Sequence, residues 1–264
     1  MIRMTSNTEQ VLRKAQATTF GSAAGTYDRY RVGLPAEVVD RVLPAGMDAA
    51  LDLGAGTGAM TRRLVERAGK VYAVDPDPRM TELLAESCPA VEVRRGTGEA
   101  IPLPDACVDA VVVASAWHWM DPATTIPEIA RVLRPGGALC LVWNRRDRSV
   151  PWMADLEAYR LGVDGGDDWV GERIDHYLGE PWLPAGAPFA NVEILTLPWT
   201  AVMTKDELVG MMTTFRGYLS APPERKPGIL RKFVEYVDGH LAFEGEGATI
   251  GVPMVCRGWR ATLA

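Results

Sequence analysis

Residues Leu51-Asp52-Leu53-Gly54-Ala55-Gly56-Thr57-Gly58 decide the fold. The apolar run at 50–53 reads as a strand that passes into a glycine-rich turn, and the turn opens a helix over 57–68. Glycine lets a backbone approach a ligand closely and take torsions closed to other residues. Nineteen residues beyond Gly56 stands Asp75, at the end of the next expected strand, where a carboxylate can accept hydrogen bonds from two ribose hydroxyls. Taken singly, the turn reads as a tight connection, and Asp75 before Pro76 as a helix-start acid. Together, within one β-α-β unit, they describe a nucleoside-binding site.

A dinucleotide is one occupant to weigh, because residues 54–59 satisfy GxGxxA and Asp75 lies at the expected distance. Asp52 argues the other way. Its carboxylate, two residues before the first glycine, suits an ammonium group and is a poor neighbour for a pyrophosphate. That favours a nucleoside bearing an amino acid, and Ala55 and Gly58 complete the backbone that would line it.

Outward from this turn, residues 50–53, 71–74, 91–93, 110–113 and 138–143 read as strands, and 57–68, 78–87 and 122–133 as helices between them. The alternation implies right-handed crossovers and a parallel sheet that binds ligands beyond the carboxyl ends of its strands. After residue 144 the pattern changes. Helices are expected at 152–161, 169–178, 205–215 and 223–239, with a strand at 192–203 bent at Pro198 and a last strand at 254–263. The expected fold is α/β: a Rossmann-like, doubly wound, seven-stranded sheet of five parallel strands and a final antiparallel pair, with helical cap insertions. Its parts are an N-terminal helical segment (1–45) closing over the cofactor, a core (46–148), and cap elements with the last two strands (149–264).

The 264 residues are 47% hydrophobic and 23% charged, enough for a sizeable core. A net charge of −6 with interspersed signs lacks the basic footprint that nucleic acid phosphates demand. No segment is apolar enough to span a bilayer and the start lacks the apolar core of a secretion signal, so the expected location is the cytoplasm. Cys88, Cys107, Cys140 and Cys256 contain no CxxC pair and the three histidines are scattered, so neither a disulfide framework nor a metal site is expected. Asp164, Asp167 and Asp168 around Gly165 and Gly166 read as a solvated turn.

Further stretches recur in order: Phe20-Gly21-Ser22-Ala23-Ala24 with Tyr27-Asp28-Arg29-Tyr30-Arg31, Val74-Asp75-Pro76-Asp77-Pro78 with Met80, residues 96–104, Trp117-His118-Trp119, and residues 131–137. With the glycine turn they resemble class I methyltransferases of the methyltransferase type 11 group, especially relatives similar to trans-aconitate methyltransferase. The resemblance covers roughly residues 20–150. It implies S-adenosyl-L-methionine as methyl donor, leaving as S-adenosyl-L-homocysteine. Gly54, Gly56 and Gly58 would line its methionine and ribose, Asp75 with Pro76 would hold the diol, and Met80 would pack beside the adenine unless it is ordinary helix-face core. Thr97, Gly98 and Glu99 match the adenine edge, although Thr97 stands where many relatives have Asp and Gly98 where many have Ala. Tyr27 and Arg31 match a segment closing over the methionine end, where a guanidinium can pair with the carboxylate; the alternative is a solvated helix. Ser115, after the fourth strand, completes the expected cofactor set. Residues 133–137 read as a structural helix stop and turn.

Methyl transfer from a sulfonium is a direct displacement, with the acceptor atom about 3 to 3.5 Å from the methyl carbon. A base is needed only when the acceptor carries a proton that must leave. His118, just past the fourth strand, is the candidate base or acceptor-orienting group, or else a hydrogen-bonded packing histidine. Trp117 and Trp119 are candidate aromatic walls, unless one is core, and Trp152 is a candidate substrate contact in the cap. The expected partner is a small-molecule acceptor, with oxygen favoured by resemblance. The competitors are an NAD(P)-dependent oxidoreductase on a related sheet and a non-catalytic nucleoside-binding protein.

Overall fold

The computed structural model describes residues 29–30, 32–165, 183–245 and 247–264. Helix α1 (Ala36–Val42) precedes β1 (Met47–Leu53), α2 (Thr61–Val65), β2 (Ala68–Asp75), α3 (Pro78–Ser87), β3 (Glu92–Arg95) and β4 (Val108–Ala114). A single 3-10 turn (Trp117–Trp119), α4 (Pro122–Val132) and β5 (Leu133–Arg146) follow. The cap and final strands are α5 (Pro151–Asp164), β6 (Phe189–Thr204), α6 (Lys205–Met212), α7 (Arg216–Leu219), α8 (Lys226–His240) and β7 (Thr249–Leu263).

Among the described residues the strands form one seven-stranded sheet in the order β3-β2-β1-β4-β5-β7-β6. The first five are parallel, and β7 pairs antiparallel with both β5 and β6. This is the expected doubly wound architecture. The period of two along β1 sends Leu51 and Leu53 to a core with Val111, Val113, Ile126 and Ile129, and Ala50 to the opposite core with Val39, Leu64, Leu84 and Val112. A third cluster joins α5, α6 and α8 to the far ends of β6 and β7 through Met153, Leu208, Phe233, Met203 and Val252. The cap therefore grows directly from the sheet.

Helix starts follow local chemistry. Asp77 and Asp121 cap α3 and α4 by accepting the N–H groups of Arg79 and Ala123, each with a proline in the first turn. Thr204 and Glu207 form a reciprocal capping box on α6. Arg134 pairs with Asp109, which also accepts the N–H groups of Asp48 and Ala49, so residues 133–137 lock β5 and β1 together at the sheet's amino end, in a structural role.

Three expectations need correction. The helix after the glycine turn spans five residues rather than 57–68, because Gly56 and Gly58 hold positive φ and the chain stays in turns until Met60. Strand β6 is not bent at Pro198, which pairs in register with Val255. As an edge strand it tolerates the missing N–H, and its register shift lies at Ala190–Glu193, around Asn191 with φ 51°. Asp164 is not in a solvated turn: its side chain is buried and paired with Arg160. The expected helix at 169–178 lies outside the described residues.

Candidate functional site

The carboxyl ends of β1, β2 and β4 meet at the glycine turn. Gly54 and Ala55 donate their N–H groups to the Val74 carbonyl, drawing the turn against the end of β2. Asp75 accepts the Gly56 N–H through Oδ2 and the Asp77 N–H through Oδ1, each at 2.9 Å, while Pro76 between them is exposed. Each carboxylate oxygen keeps a second acceptor direction, as a ribose diol requires. The glycines differ in purpose. A Cβ on Gly54 would lie 2.5 Å from that of Ala116 and one on Gly58 would overlap Leu84, so packing alone already excludes a side chain at both. Gly56, at φ +56°, faces open space, as a ligand cradle must.

Asp52 lies beneath the turn, 1% exposed. Its Oδ2 accepts the Thr61 hydroxyl at 2.6 Å, whereas the buried Oδ1 has no hydrogen-bond partner among the described residues. Burial pushes its carboxyl up to about 7, against the Thr61 hydrogen bond and with help from Asp75. Burial likewise raises Asp75, and its two backbone donors oppose that rise. A buried acid with an unsatisfied oxygen is stable protonated or beside a cation.

In the segment expected to meet the adenine, Met80 is buried on the first turn of α3. Gly98 has no room for a side chain: a Cβ there would lie 2.9 Å from the Met120 sulfur and 3.0 Å from the Thr125 methyl. That packing accounts for glycine in place of alanine. Thr97 bridges to Ala100. Glu99 accepts the Asp121 N–H at 3.0 Å, so one carboxylate oxygen anchors the start of α4 rather than facing a ligand.

At the carboxyl end of β4, Ser115 of the expected cofactor set takes φ +56°, a strained torsion for a side-chain-bearing residue, held by its N–H to the Val142 carbonyl at 2.7 Å. His118 is 4% exposed, and its Nδ1 accepts the Trp143 indole N–H at 3.3 Å. With Nδ1 accepting, the neutral ring carries its proton on Nε2. Trp119 stays partly exposed beside it, ring centroids 4.6 Å apart. Trp117 is fully buried in the core among Val113, Met120 and Ile126, so it is not an acceptor wall. Trp152, half-buried at the start of α5, packs on the cap cluster. Tyr27 and Arg31 lie outside the described residues.

Sequence reasoning missed a buried ionic network between β5 and the cap. Arg146 bonds Glu157 at 2.7 Å, Arg160 bonds Asp164 at 2.8 Å, and both guanidinium groups lie over the Phe215 ring. The spacing of Glu157, Arg160 and Asp164, one face of a helix, was the available signal.

A glycine turn over a buried acid, with a second acid at the end of β2 of this sheet order, defines a class I S-adenosylmethionine-dependent methyltransferase. The profile described as Methyltransferase domain matches residues 51–141. An uncharacterized methyltransferase of Mycobacterium tuberculosis is 41% identical over 252 residues, covering 96% of this chain and 98% of the relative. The chain belongs to this methyltransferase family. A malonyl-[acyl-carrier protein] O-methyltransferase of Serratia marcescens is 35% identical over 141 residues, 52% of this chain and 55% of that one. Among solved structures, a putative type II methyltransferase from Anaeromyxobacter dehalogenans superposes with a TM-score of 0.68 at 26% identity, covering 88% of this chain and 97% of that one. The oxidoreductase alternative falls with this assignment. The residues present fit S-adenosylmethionine: the unpartnered Asp52 oxygen suits an ammonium group and the open space at Gly56 admits its backbone-facing atoms. Among the described residues no helix is long and apolar enough to cross a membrane.

Proposed function

We propose that this enzyme methylates a small-molecule acceptor, with oxygen as the favoured receiving atom. The donor would lie across the carboxyl ends of β1 and β2. Asp75 would hold the ribose, Asp52 the ammonium, Gly54 to Gly58 the methionine chain, and Met80, Thr97 and Gly98 the adenine. Tyr27 and Arg31 would serve the methionine end. Bound there, the cofactor supplies a methyl group on a positively charged sulfur. The chain's own task is then to place the acceptor in line and exclude water.

The observation that carries the oxygen reading is the Trp143–His118 hydrogen bond. It occupies Nδ1 and puts the proton of the neutral ring on Nε2, so neither nitrogen of this tautomer is set to remove a proton. A carboxylate needs no base, in keeping with this tautomer. The relative that O-methylates a malonyl group is compatible with it. Trp119 and Trp152 would border the acceptor, under the cap formed by 149–264, with 46–148 as the donor-binding core and 1–45 closing over it. The test is product analysis by mass spectrometry after incubation with the donor and matched panels of carboxylic acids, phenols and amines. Methyl esters among the products support the reading, and methylation confined to amines overturns it.

A further inference from the structure

Residues 32–35 lead into α1 past the glycine turn without regular structure; the Pro35 carbonyl accepts the Val38 and Val39 N–H groups of α1, while two earlier carbonyls meet side chains. These two are satisfied from opposite directions. Arg63 of α2 donates Nε–H to the Leu34 carbonyl at 3.0 Å, and Asn144 of β5 donates Nδ2–H to the Val32 carbonyl at 2.8 Å. Apolar contacts repeat the pattern. Leu34 is buried in the same cluster as Ala55, Met60 and Leu64, whereas Val32 packs on the cap cluster. Tyr30 lies so closely on Gly210 of α6 that a Cβ there would overlap its ring.

Asn144 is itself oriented. Its Oδ1 accepts the indole N–H of Trp199 at 3.1 Å, across from β6. An indole nitrogen only donates, so the amide oxygen must face Trp199 and the amide NH2 is turned to the Val32 carbonyl. The pair forms a relay from the last strand of the sheet to the segment that lies along the cofactor turn.

We infer that Asn144, oriented by Trp199, is a positioning residue that holds residues 32–35 along the glycine turn and thereby sets the affinity for the cofactor. The inference rests on the cofactor site proposed above. When the segment is docked only part of the time, apparent affinity falls by the docked fraction, because binding must first complete the docking. Asn144 touches neither donor nor acceptor in this scheme. Its effect passes through Val32 to the chain that packs on Ala55 and is tied to Arg63.

The test is calorimetric binding of S-adenosylhomocysteine to the full chain and to Asn144→Asp, Trp199→Phe and the double variant, with melting temperature and hydrogen exchange over residues 32–35 measured alongside. Asn144→Asp keeps the acceptor for Trp199 but replaces the donor to Val32. About tenfold weaker binding is expected, the loss of one hydrogen bond with its partner left unsatisfied. Faster exchange at 32–35 should accompany it. Trp199→Phe should weaken binding in the same direction, and the double variant should be no worse than Asn144→Asp alone, since both act on one hydrogen bond. Equal affinity in wild type and Asn144→Asp, or a lowered melting temperature without any change in affinity, overturns the positioning role while leaving the cofactor site intact. Absence of binding in the wild type overturns both.

Discussion

Asp75 and Gly56, nineteen residues apart, are joined by a 2.9 Å hydrogen bond from the Gly56 N–H to Asp75 Oδ2, so the end of β2 and the tip of the glycine turn form one rigid unit. The same carboxylate accepts the Asp77 N–H and so also supports the start of α3. A single residue thus shapes the turn and supports the next loop, and in the proposed complex it would present lone pairs to a diol.

Asp75→Ala should weaken S-adenosylhomocysteine binding by about 1.5 to 3 kcal/mol, since it removes ligand contacts and frees the Gly56 N–H. Asp75→Asn, which keeps one acceptor oxygen, should lose less. Calorimetry on the two variants checks the order, and an unchanged affinity in Asp75→Ala would sink the ribose assignment.

Gly56→Val and Gly54→Ala should fail differently. Valine at φ +56° costs about 1 to 2 kcal/mol of backbone strain and fills the open space where the ligand belongs, so binding should vanish while the protein still folds. Alanine at Gly54 meets Ala116 and should chiefly lower the melting temperature. Circular dichroism melts paired with binding curves separate the two effects.

Asp52 gives a pH signature. Its folded-state pKa, about 7, lies above its ordinary value of 3.8, so between these limits the folded protein holds a proton that the unfolded chain releases. Stability from this group is therefore full below pH 4 and is lost as pH rises toward 7, amounting to roughly 4 kcal/mol at the upper end. Asp52→Asn should match the wild type near pH 4 and exceed it in denaturant melts near pH 8. Cofactor affinity should run the opposite way: the ionised Asp52 attracts the ammonium, so wild-type binding should tighten as pH rises through 7, and the Asn variant should be flat and weak. Parallel pH profiles in both proteins would contradict the ammonium role.

His118→Ala should raise the acceptor Michaelis constant more than it lowers turnover and leave S-adenosylhomocysteine affinity nearly unchanged, because the tautomer fixed by Trp143 is not set to remove a proton. Trp143→Phe, which frees Nδ1, should broaden the dependence of activity on pH. A loss of turnover of about 100-fold at constant Michaelis constant would instead make His118 a base.

The residues of the proposed donor half are readable because their spacing is local or strand-set: Asp52, Gly56 and Asp75 sit at intervals fixed by a strand, a turn and a strand. The count of seven strands, five parallel and a final antiparallel pair, is readable from the alternation of apolar runs, whereas their order in the sheet is not. What escaped depends on distant packing. Trp117 and Trp119 look alike in sequence, yet the 3-10 turn buries one and leaves the other partly exposed. Pro198 bends nothing because β6 lies at the edge of the sheet, a matter of topology. The Asn144–Val32 hydrogen bond spans 112 residues and the Trp199–Asn144 bond 55, with no motif to announce either.

The central claim is a donor site for S-adenosylmethionine built from Asp52, Gly56 and Asp75. Titration calorimetry of the purified chain with S-adenosylhomocysteine, and separately with NAD and NADP, tests it most directly. The account predicts one saturable site for S-adenosylhomocysteine, lost in Gly56→Val, and no heat of binding from either dinucleotide. Saturable binding of a dinucleotide, or an S-adenosylhomocysteine site that survives intact in Gly56→Val, would contradict it.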